Sequence, residues 1–230
     1  MRFLLFFLFS ATAFANPVFN LQGSWMVKEQ HEKVQNRIID FWFGENADPV
    51  KIEPHIVKRW FMKDPGFDQE IKEKFSNEVH RASSGRYDTW EETPRGRLAL
   101  ILLLDQFKRN IYRGSPKAWE SDEKGQEIAL EGIRLRDDAK LPPSHRAFFY
   151  MPLEHAESRN LQVLSVGCFS DLVQEVPPED RGIYKQFLDY AKKHKAIIDR
   201  FGRYPHRNAV LGRMSTSQEI EFLQQPDSSF

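Results

Sequence analysis

Cys168 is the one cysteine in a chain of 230 residues. No internal disulfide can form, so stability has to come from packing, and Cys168 reads as a small buried hydrophobe rather than a nucleophile. Clustered Cys/His ligands, an H-E-x-x-H helix, a Gly-rich phosphate loop and a G-x-S-x-G elbow are all missing. These absences exclude nucleotide hydrolysis by the P-loop route and give no reason to assign a metal or a cofactor. Net charge is missing too, with 33 basic residues against 33 acidic ones. Such a chain has no global field to draw nucleic acid or an anionic membrane, so any anion binding is local. The longest apolar runs, Phe3–Phe9 and Leu98–Leu104, fall far short of the ~20 residues that span a bilayer. No segment alternates with the period of a strand, and no repeat has the spacing of a common solenoid.

The first fifteen residues have the layout of a cleaved leader. Met1-Arg2 is a positive start, Phe3–Phe9 an apolar stretch, and Ala13-Phe14-Ala15 an A-x-A cleavage site that gives a mature start at Asn16. The expectation is an exported protein, periplasmic or secreted, with no membrane contact once the leader is gone. No Pro/Gly/Ser-rich linker divides residues 16–230, which predicts one domain.

What is present is helix punctuation. A first helix is expected over 28–43. Asp48-Pro49 reads as the start of a helix reaching Phe61, with Pro54 delaying or kinking it. Asp64-Pro65 leads into Phe67–Ala82, where Phe67, Ile71, Phe75 and Val79 keep helical spacing. Thr93-Pro94 opens an apolar helix to Asn110, and Ser115-Pro116 opens one to Glu131. Asp137–Pro143 reads as a loop. Residues 144–175 read as one helix or two meeting at Pro152, Pro177-Pro178 precedes a helix over 181–201, and Thr216-x-x-Glu219 has the form of a capping box. The fold class is all-α, built as antiparallel helix pairs with short connections.

Three groups of polar residues sit where apolar ones are expected. Asp105 and Arg109, spaced i,i+4 on a largely buried helix, form either the floor of a pocket or an internal salt bridge. Asn110 and Arg113 lie just beyond and extend the patch. After Pro152, Glu154, Ser158 and Ser165 share a face with Leu161, Cys168 and Leu172. That stripe is either a wet cleft or a buried hydrogen-bond network, and Glu154-His155 could supply a base and its partner. His194 sits on the apolar face of the 181–201 helix, as core histidines do. That helix runs into Phe201-Gly-Arg-Tyr-Pro-His-Arg-Asn208, where Gly202 suits the left-handed residue that ends a helix. A rigid loop there fixes Arg203, His206, Arg207 and Asn208.

Five runs together resemble a known family: Ile38–Gly44, Thr93–Arg97, Leu104–Gly114, Phe148–His155 and Arg200–Asn208. The chain is similar to members of the bacterial domain-of-unknown-function family 924 from about residue 38 to the C-terminus. That resemblance implies an all-α, tetratricopeptide-like right-handed superhelix and says little about activity. It places Arg95, Arg97, Asp105, Gln106, Arg109, Asn110, Arg113, Glu154, His155, Glu157, Arg203, His206, Arg207 and Asn208 in family motifs. The chain departs from the pattern at Lys108, Ala156 and Lys195-Ala196.

Three functions remain open on the sequence. Arg97, Arg109, Arg113, Arg203 and Arg207, with His155, His194 and His206, could line a cleft that binds a small anionic molecule or an acidic peptide. The chain could instead be a metal-independent acid–base hydrolase of an anionic substrate, with His155, His206 and Glu154 as candidate catalytic groups. The polar residues could also simply lock helix ends in a scaffold.

Overall fold

The computed structural model describes residues 17–226 and Ser228, with side chains from Trp25 onward. The expected leader, residues 1–15, lies outside the described residues. The described chain is all-helical, with no strand. Its helices are α1 (Pro17–Phe43), α2 (Pro54–Phe61), α3 (Pro65–Ser83), α4 (Pro94–Ile101), α5 (Lys108–Ile111), α6 (Asp122–Arg134), α7 (Pro143–Glu154), α8 (Arg159–Glu175), α9 (Arg181–Phe201) and α10 (Ser217–Phe222). A π-helical turn, Leu102–Phe107, joins α4 to α5, and short 3-10 turns fill several connections.

Local chemistry sets most starts. Asp64 Oδ1 accepts from Gly66 N at 2.8 Å, with Pro65 as the first helical residue of α3. Thr93 Oγ1 accepts from Gly96 N at 3.1 Å to open α4. Thr216 and Glu219 form the expected capping box. At Asp48 the expectation fails. Its carboxylate accepts from Val50 N and Lys51 N at 2.7 and 2.8 Å, closing a local turn. Glu53, ahead of a proline, is held extended at φ −69°, ψ 140°, so the helix begins only at Pro54.

Packing is antiparallel along the C-terminal half. Arg146 near the start of α7 pairs with Glu175 at the end of α8, and Arg159 at the start of α8 reaches Asp199 O near the end of α9. One aromatic core joins the two halves of the chain. Trp42 of α1 lies 6.2 Å from Trp60, 5.5 Å from Phe107 and 5.4 Å from Phe148, ring centre to ring centre. A smaller cluster of Ile197, Ile198 and Tyr204 anchors the chain after α9. Helices α6 and α7 approach closely at Gly132. A Cβ there would lie 2.4 Å from Cζ of fully buried Phe149. Gly132→Ala is therefore expected to cost about 1–3 kcal/mol from overpacking, against about 1 kcal/mol gained in helix propensity. Thermal melting checks this, and an unchanged or raised midpoint would refute the close approach.

The break between α7 and α8 falls at residues 155–158, not at Pro152, which stays inside α7. The reason is tertiary. Helix α7 ends with unpaired carbonyls, and the buried Gln162 side chain reaches back to Glu154 O at 2.6 Å and Ala156 O at 2.9 Å. The Tyr204 hydroxyl donates to Glu154 O at 2.5 Å. Glu154 therefore belongs to α7 rather than to the face of α8, whose buried side is Gln162, Ser165, Phe169, Leu172 and Val173.

Candidate functional site

Asp105 sits on the π turn, 1% exposed. The extra residue of a π turn re-aims the side chains beyond it, and such turns recur at functional positions. Asp105 Oδ1 forms an ion pair with Arg109 at 2.9 Å, and His155 Nδ1 lies 2.8 and 2.9 Å from the two Asp105 oxygens. Burial opposes the charge on Asp105, but Arg109 and His155 overcome it and hold the carboxyl below its ordinary range. An ionised acceptor fixes Nδ1 of His155 as the donor. Nε2 then carries the lone pair and has no hydrogen-bond partner among the described residues, on a side chain that is 16% exposed. Burial, with Arg109, lowers the His155 pKa, while Asp105 opposes the shift.

Arg109 also grips Asp122, the first residue of α6, at 3.1 and 3.2 Å. Arg207 reaches the same carboxylate at 3.4 Å and donates to His155 O at 3.0 Å. The Arg207 guanidinium lies over Tyr204 at 4.4 Å and over Trp119 at 5.6 Å, and its pKa is pushed down to about 10 by burial and by Arg109. Beside this group, His194 Nδ1 lies 3.0 Å from Glu154 Oε1, and the His155 and His194 rings are 6.1 Å apart. Residues from the π turn, α5, α6, the end of α7, α9 and the 201–208 loop thus gather in one connected network. Its two arginines are balanced by two aspartates, so it is not an unmet positive field. Among the described residues, buried atoms in it find no hydrogen-bond partner: Glu154 Oε2, His206 Nδ1 and Arg207 Nε.

Other expected members go elsewhere. Asn110 and Arg113 do not extend the Asp105 patch; both bind Asp68 of α3, at 2.7–2.8 Å. Arg203 turns to Glu219, at 2.7 and 2.8 Å, and does not join Arg207. Arg97 is buried against Asp137 and Glu91, clamping α4 to neighbouring loops. Asn208 accepts from Arg213 at 2.9 Å and donates to Ser215, and Arg213 holds Glu157 at 2.6 and 2.9 Å. Ser158 is the half-buried N-cap residue of α8, with no capping bond from its side chain. Cys168 is partly buried, its thiol pushed up to about 12 by burial.

Sequence reasoning missed Asp122, Gln162 and Tyr204 as parts of the centre. Asp122 in a first helical turn reads only as a residue suited to the helix dipole. Tyr204 stood inside the 201–208 loop, and its role as a cap for α7 has no local signal.

His145 and His206 share a property with a measurable consequence. Burial lowers both pKa values to about 4, helped at His206 by Arg207 and at His145 by Arg95. Between pH 6.5 and 4 the unfolded chain binds protons at these positions that the folded chain refuses. Stability is therefore full above pH 6.5 and falls as pH drops toward 4, by on the order of 1–3 kcal/mol per residue. Urea unfolding at pH 7 and pH 4.5 tests this, and the double variant His145→Gln/His206→Gln is expected to flatten the difference. Equal wild-type stability at the two pH values would refute it.

Among the described residues no group of three or more His, Cys, Asp or Glu side chains is placed to hold a metal ion, and no helix is long and apolar enough to cross a membrane. Residues 38–227 match the family described as bacterial protein of unknown function (DUF924). The fold is similar to the solved structure of a protein of unknown function from Agrobacterium tumefaciens, at 34% identity and a TM-score of 0.70, covering 84% of this chain and 98% of the other. Among curated proteins, none matches.

Proposed function

The chain belongs to DUF924, a bacterial family of unknown function, so its activity has to be read from its own side chains, and we propose that the Asp105–His155 centre performs metal-independent acid–base hydrolysis of a small anionic substrate. The observation that carries this reading is the contact of 2.8 Å from His155 Nδ1 to the ionised Asp105. It leaves Nε2 as an accessible base whose pKa lies below the ordinary histidine value, unprotonated at neutral pH. In the step proposed, Nε2 takes a proton from water as the water oxygen bonds to the electrophilic centre. The imidazolium formed is stabilised by Asp105, and the same proton then passes to the departing oxygen. Protonation of His155 makes a neutral centre positive just as negative charge develops on the substrate, which favours an anionic one. Arg109 acts through Asp105 and is a positioning residue. Export through the first fifteen residues remains part of this proposal.

A second reading, binding of a small anion or acidic peptide without turnover, is favoured by Arg207 Nε and His206 Nδ1, buried donors or acceptors left without partners. One screen separates the two. Wild type and His155→Gln are assayed against p-nitrophenyl esters, phosphates and glycosides, and the same compounds are tested by thermal shift. Turnover that His155→Gln removes supports hydrolysis. Equal background in both proteins, with a ligand-dependent shift, supports binding and ends the hydrolase reading.

A further inference from the structure

The far end of the N-terminal half carries a charged feature that the Asp105–His155 centre does not use. An open groove of about 590 Å³ lies between the end of α2 and the start of α3, walled by His55, Lys58, Arg59 and Lys63. Arg59 is half-buried. Its guanidinium carbon lies 4.5 Å from the Phe41 ring centre and 4.4 Å from that of Phe67, and the two rings stack 5.8 Å apart, 13° from parallel. These cation–π contacts hold the guanidinium against the rings without supplying a carboxylate or carbonyl to its N–H groups.

Among the described residues, the side chains of Arg59, Lys58 and Lys63 make no hydrogen bond or ion pair. The two acids of the groove are already engaged. Glu70 holds Lys74 at 2.7 Å, and Asp64 caps α3. Burial lowers the pKa of Arg59, with Glu70 opposing from a distance. A partly desolvated arginine without a carboxylate is costly unless something outside the chain completes it. Three cations around one hollow match a dianion better than a monoanion. Met62, 54% exposed on the same wall, offers apolar surface to the rest of a ligand.

We propose that this groove is a binding site for a phosphate-bearing small molecule, with Arg59 as the bidentate donor to the phosphate and Lys58 and Lys63 as flanking charges. The test is isothermal titration of the full chain with pyrophosphate and inorganic phosphate, with citrate as the charge control, at 50 and 200 mM salt. Saturable pyrophosphate binding is expected, weakened at the higher salt. Arg59→Gln should weaken it about 10-fold or more, and Lys58→Gln/Lys63→Gln, altered only at exposed side chains, should weaken it and reduce the salt dependence. His155→Gln should bind as wild type, which separates this groove from the acid–base centre. Absence of saturable binding, or wild-type affinity in Lys58→Gln/Lys63→Gln, would overturn the site. Citrate binding as tight as pyrophosphate would overturn its phosphate assignment.

Discussion

His155→Gln is expected to lower turnover of any substrate the wild type hydrolyses by about 10²–10⁴-fold, the usual contribution of a positioned proton-transfer group. Glutamine keeps a hydrogen bond toward Asp105 but has no atom that can take a proton at the position of Nε2. The loss should therefore fall on kcat, with KM little changed. The pH profile gives a second readout. A base whose pKa burial and Arg109 place below the ordinary histidine value loses activity as pH falls through that lowered pKa, with one proton taken up. His155→Gln should lack this acid limb altogether. Asp105→Asn should retain a limb but with reduced kcat, because a neutral partner no longer selects the tautomer with Nε2 free or stabilises the imidazolium. A His155→Gln protein that keeps its rate within threefold, with the same acid limb, would remove His155 from the chemistry.

Much of the helical layout can be read in the chain because its signals are local. Asp64, Thr93 and the Thr216–Glu219 pair satisfy amide groups within three residues of themselves, so their sequence context contains the whole interaction. The misread boundaries have another cause. Asp48 offers the chemistry of a cap and uses it for a turn, because Pro54 forbids helix at Glu53. The α7–α8 break is set by Gln162 and Tyr204, the latter 50 residues from the carbonyl it caps. The π turn, Leu102-Leu-Leu-Asp-Gln-Phe107, carries no proline or glycine that would mark it in the sequence.

The same division runs through the site. Asp105 and Arg109 were legible as a pair because i,i+4 spacing brings them together, and they meet at 2.9 Å. Their third and fourth partners, His155 just past the end of α7 and Asp122 at the start of α6, come from distant parts of the chain, and periodicity carries no information about that. Arg113 and Arg203 show the converse. Each belongs to an arginine-rich run, yet each is taken by a carboxylate, Asp68 or Glu219, that folding brings close from another part of the chain. Density of charge in sequence identified where polar residues cluster, and only the spatial distribution of acids decided which arginines share a centre.

Asp105→Asn is expected to cost about 3–5 kcal/mol of folding stability at pH 7, because removal of one partner strands the others in a buried setting. Arg109 would keep Asp122 as its one carboxylate, and Arg109 and His155 Nδ1 would share the single neutral oxygen of the amide. In a chain of this length such a loss lowers the melting midpoint by roughly 10 °C. The sign of its pH dependence is fixed. A carboxyl held below its ordinary pKa by Arg109 and His155 stabilises the fold above the unfolded value of about 3.8, and that stabilisation disappears as pH falls through the lower folded value. The gap between wild type and Asp105→Asn should therefore be full at neutral pH and narrow in acid. Adding Arg109→Gln should recover part of the loss, since the stranded charge is then gone and Asp122 retains Arg207. Urea unfolding of the four proteins of this cycle supplies the numbers. A deficit under 1 kcal/mol for Asp105→Asn, or strict additivity with Arg109→Gln, would mean that the carboxylate is solvated well enough to stand alone. The acid–base centre would then have no rigid anchor for its imidazole.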